Sequence, residues 1–338
     1  MGKILTVSIA AYNCERYIEN TLESFANQNY NDTLEVFIID DGGTDKTLEI
    51  SQKYADKYPE IFIPIHKANA GWGSTLNYGI RNASGKYFKQ LDGDDKFLKE
   101  NIAEFLKVLN NCNEDLIYTP FVFYDEIKKK ITEIKKAGED VPRNTTLVLE
   151  DYLSTLYIAM HNCTFKTEVL RNNKINITEK CFYTDIEFVL KGCVASQTVR
   201  VLDIPIYWYR ISREGQSMSY SGIQKHYLEH QKVTYNLLEY FTNNIQNGEK
   251  RKFVESKLLY LIENQYSIYG IITPNKEHKK QLIEFNSIIK SKYPEYYRKS
   301  NPLSYIKVLR NTKFIGYYLA HRLRLIFHNM KNILYRRK

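Results

Sequence analysis

Three carboxylates crowd the segment Asp92-Gly93-Asp94-Asp95, a spacing that suits a metal ion. Two aspartates two positions apart in a turn, Asp92 and Asp94, can face one divalent cation. Mg2+ and Mn2+ prefer such hard oxygen ligands, completed by diphosphate oxygens and water. A cation there would neutralise charge building on a departing diphosphate. Aspartate is common in turns, so the pattern alone also describes a solvated turn; its place after the run Phe88-Lys89-Gln90-Leu91 favours the metal. A second acidic group, Asp40-Asp41-Gly42-Gly43-Thr44-Asp45, also follows an apolar run. Glycine gives that turn backbone freedom, and Thr44 or Asp45 can cap a following helix. Its carboxylates are then available to a base or ribose. Neither the dinucleotide G-x-G-x-x-G fingerprint nor a P-loop occurs, which argues against a Rossmann-like oxidoreductase, a reading that absence of NAD(H) binding would settle. Arg210, at the end of an aromatic run, offers a guanidinium suited to diphosphate oxygens, with Arg213 a second candidate. The stretch 213–219, which includes Gln216, reads as a lid. His161 is an acceptor-side candidate, and Trp72, in a Gly-rich loop, could stack on a ligand or simply pack.

These residues need elements to position them. Residues 4–11, 34–39, 61–65 and 87–91 read as strands, alternating with helices over about 15–28, 45–58 and 74–82. Repeated strand–helix units imply a mainly parallel sheet flanked by helices on both faces. In such sheets ligands bind beyond the carboxyl ends of the strands. Tyr12-Asn13, Asp40-Asp41 and Asp92-Gly93-Asp94-Asp95 all fall there, so three strands deliver polar groups to one edge. Further on, 97–110 reads as a helix, 116–124 as a strand, 125–144 as a charged hairpin or loop, 150–159 as a helix and 198–206 as a strand. After about residue 220 the texture turns helical, over 223–246, 249–270, 276–292 and 313–335.

Hydrophobic residues make up 43% of the 338, enough for a substantial core. Five cysteines at 14, 112, 163, 181 and 193 form no C-x-x-C pair, so neither a zinc knuckle nor a disulfide framework is expected, and a reducing compartment fits. The start of the chain lacks a signal-peptide pattern, and no window of about 18 apolar residues suggests a spanning helix. The net charge is +9, yet 11 Lys and Arg follow Glu295 with no acid among them, leaving about −2 on residues 1–297. This is a near-neutral body with a basic tail, which argues against nucleic acid and for an anionic partner at the tail.

Taken in order, several segments resemble the family 2 glycosyltransferases of the GT-A fold, in particular those that build bacterial surface polysaccharides. They are Ser8-Ile9-Ala10-Ala11-Tyr12-Asn13, Asp40-Asp41-Gly42-Gly43-Thr44-Asp45, Asn69-Ala70-Gly71-Trp72-Gly73 with Asn77 and Gly79, Leu91-Asp92-Gly93-Asp94-Asp95, Tyr183-Thr184-Asp185-Ile186-Glu187-Phe188 and Tyr207-Trp208-Tyr209-Arg210. The resemblance covers about 1–215. It departs at Thr184, where the family often has an acid, and at Gly43, where Ser is usual.

The resemblance implies a catalytic domain over 1–220, with a nucleotide-sugar-binding half (1–110) and an acceptor-side half (111–220), and a helical region over 221–338. It implies donor binding by Ala10, Tyr12, Asp40, Asp41, Asn69, Gly71, Asp92 and Arg210, with Mn2+ or Mg2+ at Asp94 and Asp92, a task Asp95 would share. Asp185 would be the general base of an inverting transfer from a nucleotide-sugar, UDP-linked by family habit, to a glycan or lipid-linked hydroxyl. On the residues alone, Asp185 reads as a helix N-cap, and both roles can coexist. The competing expectation is a non-catalytic nucleotide-sugar-binding module on the same fold.

In the tail, Phe314, Ile315, Tyr318, Leu319, Leu323, Ile326, Phe327, Met330, Ile333 and Leu334 recur at helical spacing, with Arg324, His328 and Lys331 between them. Such a helix can lie on an anionic membrane surface or pack on the body of the protein. The first reading places 301–338 in peripheral contact with the cytoplasmic face of the plasma membrane.

Overall fold

The structure, a computed structural model, describes residues 2–212, 220–244, 248–300 and 304–319. The expected lid, with Arg213 and Gln216, and the tail beyond 319 lie outside the described residues. The chain divides into two compact units, 1–214 and 215–338.

In the first unit, β1 (Leu5–Ala11), β2 (Leu34–Asp40), β3 (Phe62–His66) and β4 (Tyr87–Asp92) form the parallel half of an eight-stranded sheet. Its order is β3-β2-β1-β4-β10-β6-β11-β9. Leu5, Val7, Ile9, Val36, Ile38 and Leu91 are wholly buried, as expected of strands covered on both faces. The register pairs Ala11 with Asp40 and Ala10 with Asp92, so three strands end side by side. Between them run α1 (Glu15–Glu23), α2 (Thr47–Lys57) and α3 (Trp72–Asn82). The sheet continues antiparallel through β10 (Cys163–Lys166) to β6 (Leu116–Tyr118), then parallel to β11 (Thr198–Val201), with β9 (Thr146–Val148) antiparallel at the edge.

A smaller sheet has the order β5-β12-β7-β8, from β5 (Lys96–Phe97), β7 (Phe121–Asp125), β8 (Lys130–Lys135) and β12 (Tyr207–Ile211). Two expected strands are thereby corrected. Residues 116–124 divide into β6 and β7, which join different sheets, with Pro120 between them. Residues 198–206 end as a strand at Val201, and β12 begins only after Pro205. Proline has no N–H for a ladder and marks both transfers. The helix expected over 150–159 shrinks to α5 (Leu149–Tyr152). The unit is completed by α4 (Lys99–Asn111), α6 (Thr167–Asn172) and α7 (Asp185–Ala195).

The described residues of the second unit form helices and no strand: α8 (Tyr220–Asn244), α9 (Glu249–Ile271), α10 (Lys276–Lys292), α11 (Pro294–Lys299) and α12 (Ser304–Asn311). Leu237, Leu258, Ile262, Tyr266, Leu282 and Phe285 fill its core. The helix expected from residue 313 starts later, because Lys313 and Phe314 take positive φ (46° and 60°) and stop α12 in a turn. No helix among the described residues is long and apolar enough to cross a membrane.

Candidate active site

At the end of β4, Asp92 and Asp94 are half-buried and Asp95 is wholly buried. One carboxylate oxygen from each lies within 4.8 Å of the others. The three do different work. The Asp95 carboxylate faces inward, accepting from the Tyr207 hydroxyl at 2.7 Å and from the Arg210 backbone N–H at 2.8 Å. Burial, and then the neighbouring Asp94 and Asp92 carboxylates, push its pKa far above the ordinary range. Asp95 thus fastens the turn to β12, while Asp92 and Asp94 remain accessible. The donor set is all carboxylate oxygen, and the like-charge crowding is what a divalent cation would relieve, so these residues fit Mg2+ or Mn2+, with Asp92 and Asp94 as ligands.

The Gly-rich loop closes on this turn. Trp72, the first residue of α3, donates its Nε1–H to Asp92 Oδ1 at 2.7 Å. Gly71 precedes it with φ +81°, and a Cβ there would meet the Lys180 backbone at 3.2 Å, so the position requires glycine. Asp41 organises the same loop from the end of β2. It accepts from the N–H groups of Ala70 (3.0 Å) and Gly71 (2.7 Å) and pairs with Lys67. Asp40 turns the other way, accepting from the Gly43 N–H at 3.0 Å, with His66 Nδ1 2.7 Å away. Both carboxylates are buried and engaged within the protein, not turned out to a base or ribose as the sequence led us to expect. Tyr12 and Asn69 are exposed beside them, and the Ala10 carbonyl accepts from the Gly93 N–H at 2.9 Å.

Asp185 is the first residue of α7, with Thr184 in the cap position. Its surface is accessible, yet protein atoms crowd it and raise its carboxyl pKa. Tyr209 links Asp185 to the acidic turn. Burial first, and then the carboxylates of Asp95, Asp92, Asp185 and Asp94, hold its phenol well above the usual value. The two acidic elements, 90 residues apart in sequence, therefore share one electrostatic neighbourhood.

His161 lies against the same strand. Its ring stacks on Phe121 (4.8 Å between centres) and meets Tyr207 (4.7 Å) and Tyr209 (4.3 Å). Its Nδ1 is buried without a hydrogen-bond partner among the described residues. Burial, then the Lys89 cation, push its pKa down to about 3, so the ring is neutral. Lys89 is itself buried, donating to the carbonyls of His161 (2.9 Å) and Cys163 (3.1 Å), and burial lowers its pKa to about 7.

Arg210 departs from its expected place. Its side chain leaves β12 on the face opposite Tyr209, packs between the rings of Tyr17 and Trp208 (4.8 Å to each centre), donates to the Asp94 carbonyl at 2.9 Å and pairs with Glu126. It braces the metal-type turn through its backbone. Sequence reasoning did not single out Lys67, Lys89 or Tyr207 for these roles. A lysine inside an apolar strand run was the one available signal, at Lys89.

With carboxylates at strand ends, an acid at a helix start and a glycine-rich loop on a mainly parallel sheet, the first unit has the GT-A fold of glycosyltransferases. Residues 6–173 match the model of "Glycosyl transferase family 2", and the chain belongs to that family. Among curated relatives, the minor teichoic acid biosynthesis protein GgaB of Bacillus subtilis is 26% identical, over 95% of this chain and 35% of its own length. The uncharacterized glycosyltransferase MG025 of Mycoplasma genitalium is 32% identical, over 53% of this chain and 64% of its own. The chain thus spans between a third and two thirds of the length of these relatives. The crystal structure of Staphylococcus aureus TarS 1-349 with UDP-GlcNAc shares the fold, with a TM-score of 0.67 at 20% identity, over 94% of this chain and 90% of that one.

Proposed function

We propose that this glycosyltransferase moves a sugar, with inversion, from a UDP-linked donor to a hydroxyl of a cell-surface polymer of the teichoic acid or polysaccharide kind. The observation that carries the reading is the acidic turn at the end of β4, where one carboxylate oxygen from each of Asp92, Asp94 and Asp95 lies within 4.8 Å of the others. It supports a diphosphate grip, to which Asp185 at the start of α7 would add the base. A divalent cation held by Asp92 and Asp94 would supply neutralisation of the leaving diphosphate. Trp72 fixes the Asp92 carboxylate, and Asp41 holds the loop that carries Trp72.

Ala10, Tyr12, Asn69 and Gly71 border the space for the nucleoside. Asp185 accepts the proton of the acceptor hydroxyl as its oxygen attacks the anomeric carbon, while the bond from that carbon to the diphosphate breaks on the opposite face. The names of GgaB and TarS, which concern teichoic acid and poly(ribitol-phosphate), support the polymer class. The setting that fits is the cytoplasmic face of the plasma membrane, with the basic tail in peripheral contact with anionic lipid. A donor-hydrolysis screen over nucleotide-sugars with Mn2+, Mg2+ and chelator tests the reading. Turnover of a UDP-sugar that chelator abolishes is expected; turnover indifferent to chelator removes the metal, and no turnover with any donor removes the transferase.

A further inference from the structure

On the face of β12 away from Tyr209 lies a recess of about 500 Å3, within the range of small-ligand sites. Alternation along the strand places it there: Tyr207 and Tyr209 face His161, while Trp208 and Arg210 face the recess. Its wall is aromatic. Trp208 and Tyr124 stack with ring centres 4.2 Å apart and planes 27° apart, and Tyr17 stands opposite across the Arg210 guanidinium. Cations lie on these rings. Lys96 Nζ is 4.9 Å from the Trp208 centre, and the Arg16 guanidinium is 5.4 Å from that of Tyr17.

Charge in the recess is unbalanced. Its one carboxylate, Glu126, pairs with both Arg210 and Lys129. Lys96 and Arg16 have no ion-pair partner among the described residues. A phosphate group answers the cations, and the half-exposed Tyr17 and Tyr124 beside them suit the C–H groups of a sugar or polyol.

We propose that this recess is a second binding site, separate from the reaction cleft, for a phosphate-bearing sugar or polyol unit. Its purpose rests on the transferase reading: a polymer acceptor with phosphate in its repeat would be held there while another of its units enters the cleft.

Binding of glucose 6-phosphate to the full chain, followed by calorimetry, tests the site apart from turnover. Glucose and inorganic phosphate serve as the separate halves. Wild type should bind the sugar phosphate at least tenfold more tightly than either half, and added salt should weaken it. The double variant Arg16→Glu/Lys96→Gln should lose at least tenfold in affinity while melting at the same temperature and hydrolysing donor at the wild-type rate. Equal binding by the variant, or by inorganic phosphate alone, would overturn the assignment. Loss of donor hydrolysis in the variant would place these residues in the reaction cleft and overturn it too. If wild type turns over no nucleotide-sugar yet binds the sugar phosphate through Arg16 and Lys96, the site stands and the transferase reading falls.

Discussion

Asp185 carries two opposed demands. A base must be ionised at working pH, and crowding by protein disfavours the ion. Its raised pKa means that the folded state holds the proton more tightly than the unfolded chain does. The stability this gives is present below the ordinary carboxyl pKa of about 4 and lost as pH rises through the higher folded value. At neutral pH the ionised group therefore strains the native state, and Asp185→Asn should melt no lower than wild type. The same variant should lose roughly 10²- to 10⁴-fold in kcat with donor Kd nearly unchanged. In wild type, log kcat/KM should fall on the acid side with an inflection above the usual carboxylate range, measured over pH 4–8; an unaltered rate in the variant would remove Asp185 as base. The start of a helix at Asp185 was legible in the apolar pattern that follows it, although the cap position falls to Thr184 and not, as expected, to Asp185. The division of labour among Asp92, Asp94 and Asp95 was not, because it depends on Tyr207 and Arg210, more than 110 residues away.

Strand β12 organises the site from both faces. One face carries Tyr207 and Tyr209 against His161 and the carboxylates; the other carries Trp208 and Arg210 under the acidic turn. The motif Tyr207-Trp208-Tyr209-Arg210 was visible in the sequence, but its pairing was not. Residues 198–206 read as one apolar run, and Asp203-Ile204-Pro205 breaks it before β12. The alternation then assigns Arg210 to bracing the turn. His161 reports on the integrity of this packing. Its folded pKa of about 3 lies below the unfolded value near 6.5. The unfolded chain therefore takes up the proton first on acidification. His161 contributes stability that is full above about pH 6.5 and is lost progressively toward pH 3. His161→Phe keeps an aromatic ring among Phe121, Tyr207 and Tyr209 and removes the titration. Its Tm should fall less than that of wild type between pH 7 and pH 5, as read by thermal melts; parallel curves would show that the ring is charged or solvated in the native state.

At the scale of the whole chain, the basic tail divides into two parts with different physical work. Residues 304–319 belong to the second unit. Ile306, Leu309 and Tyr317 are buried, the Tyr317 hydroxyl donates to the Tyr269 carbonyl at 3.0 Å, and the Arg310 guanidinium stacks 3.8 Å from the Tyr297 centre and donates to Ser300, Asn286 and the Tyr297 carbonyl. Arg310 counts in the sequence as a tail cation, yet it is structural, which a charge tally could not reveal. Removing everything after residue 300 would therefore open the core of this unit and confuse unfolding with detachment. The sharper cut is after Leu319. It removes six Lys or Arg, at 322, 324, 331, 336, 337 and 338, and no acid. Each such cation contributes about 1 kcal/mol near an anionic bilayer at moderate salt. Loss of the segment should thus lower sedimentation with phosphatidylglycerol vesicles by more than tenfold. Binding to neutral phosphatidylcholine vesicles and the melting temperature should stay as in the full chain. If the shortened chain sediments with anionic vesicles as well as the full one, the foothold is not in 320–338, and the exposed Ile315 and Leu319 become the next residues to replace.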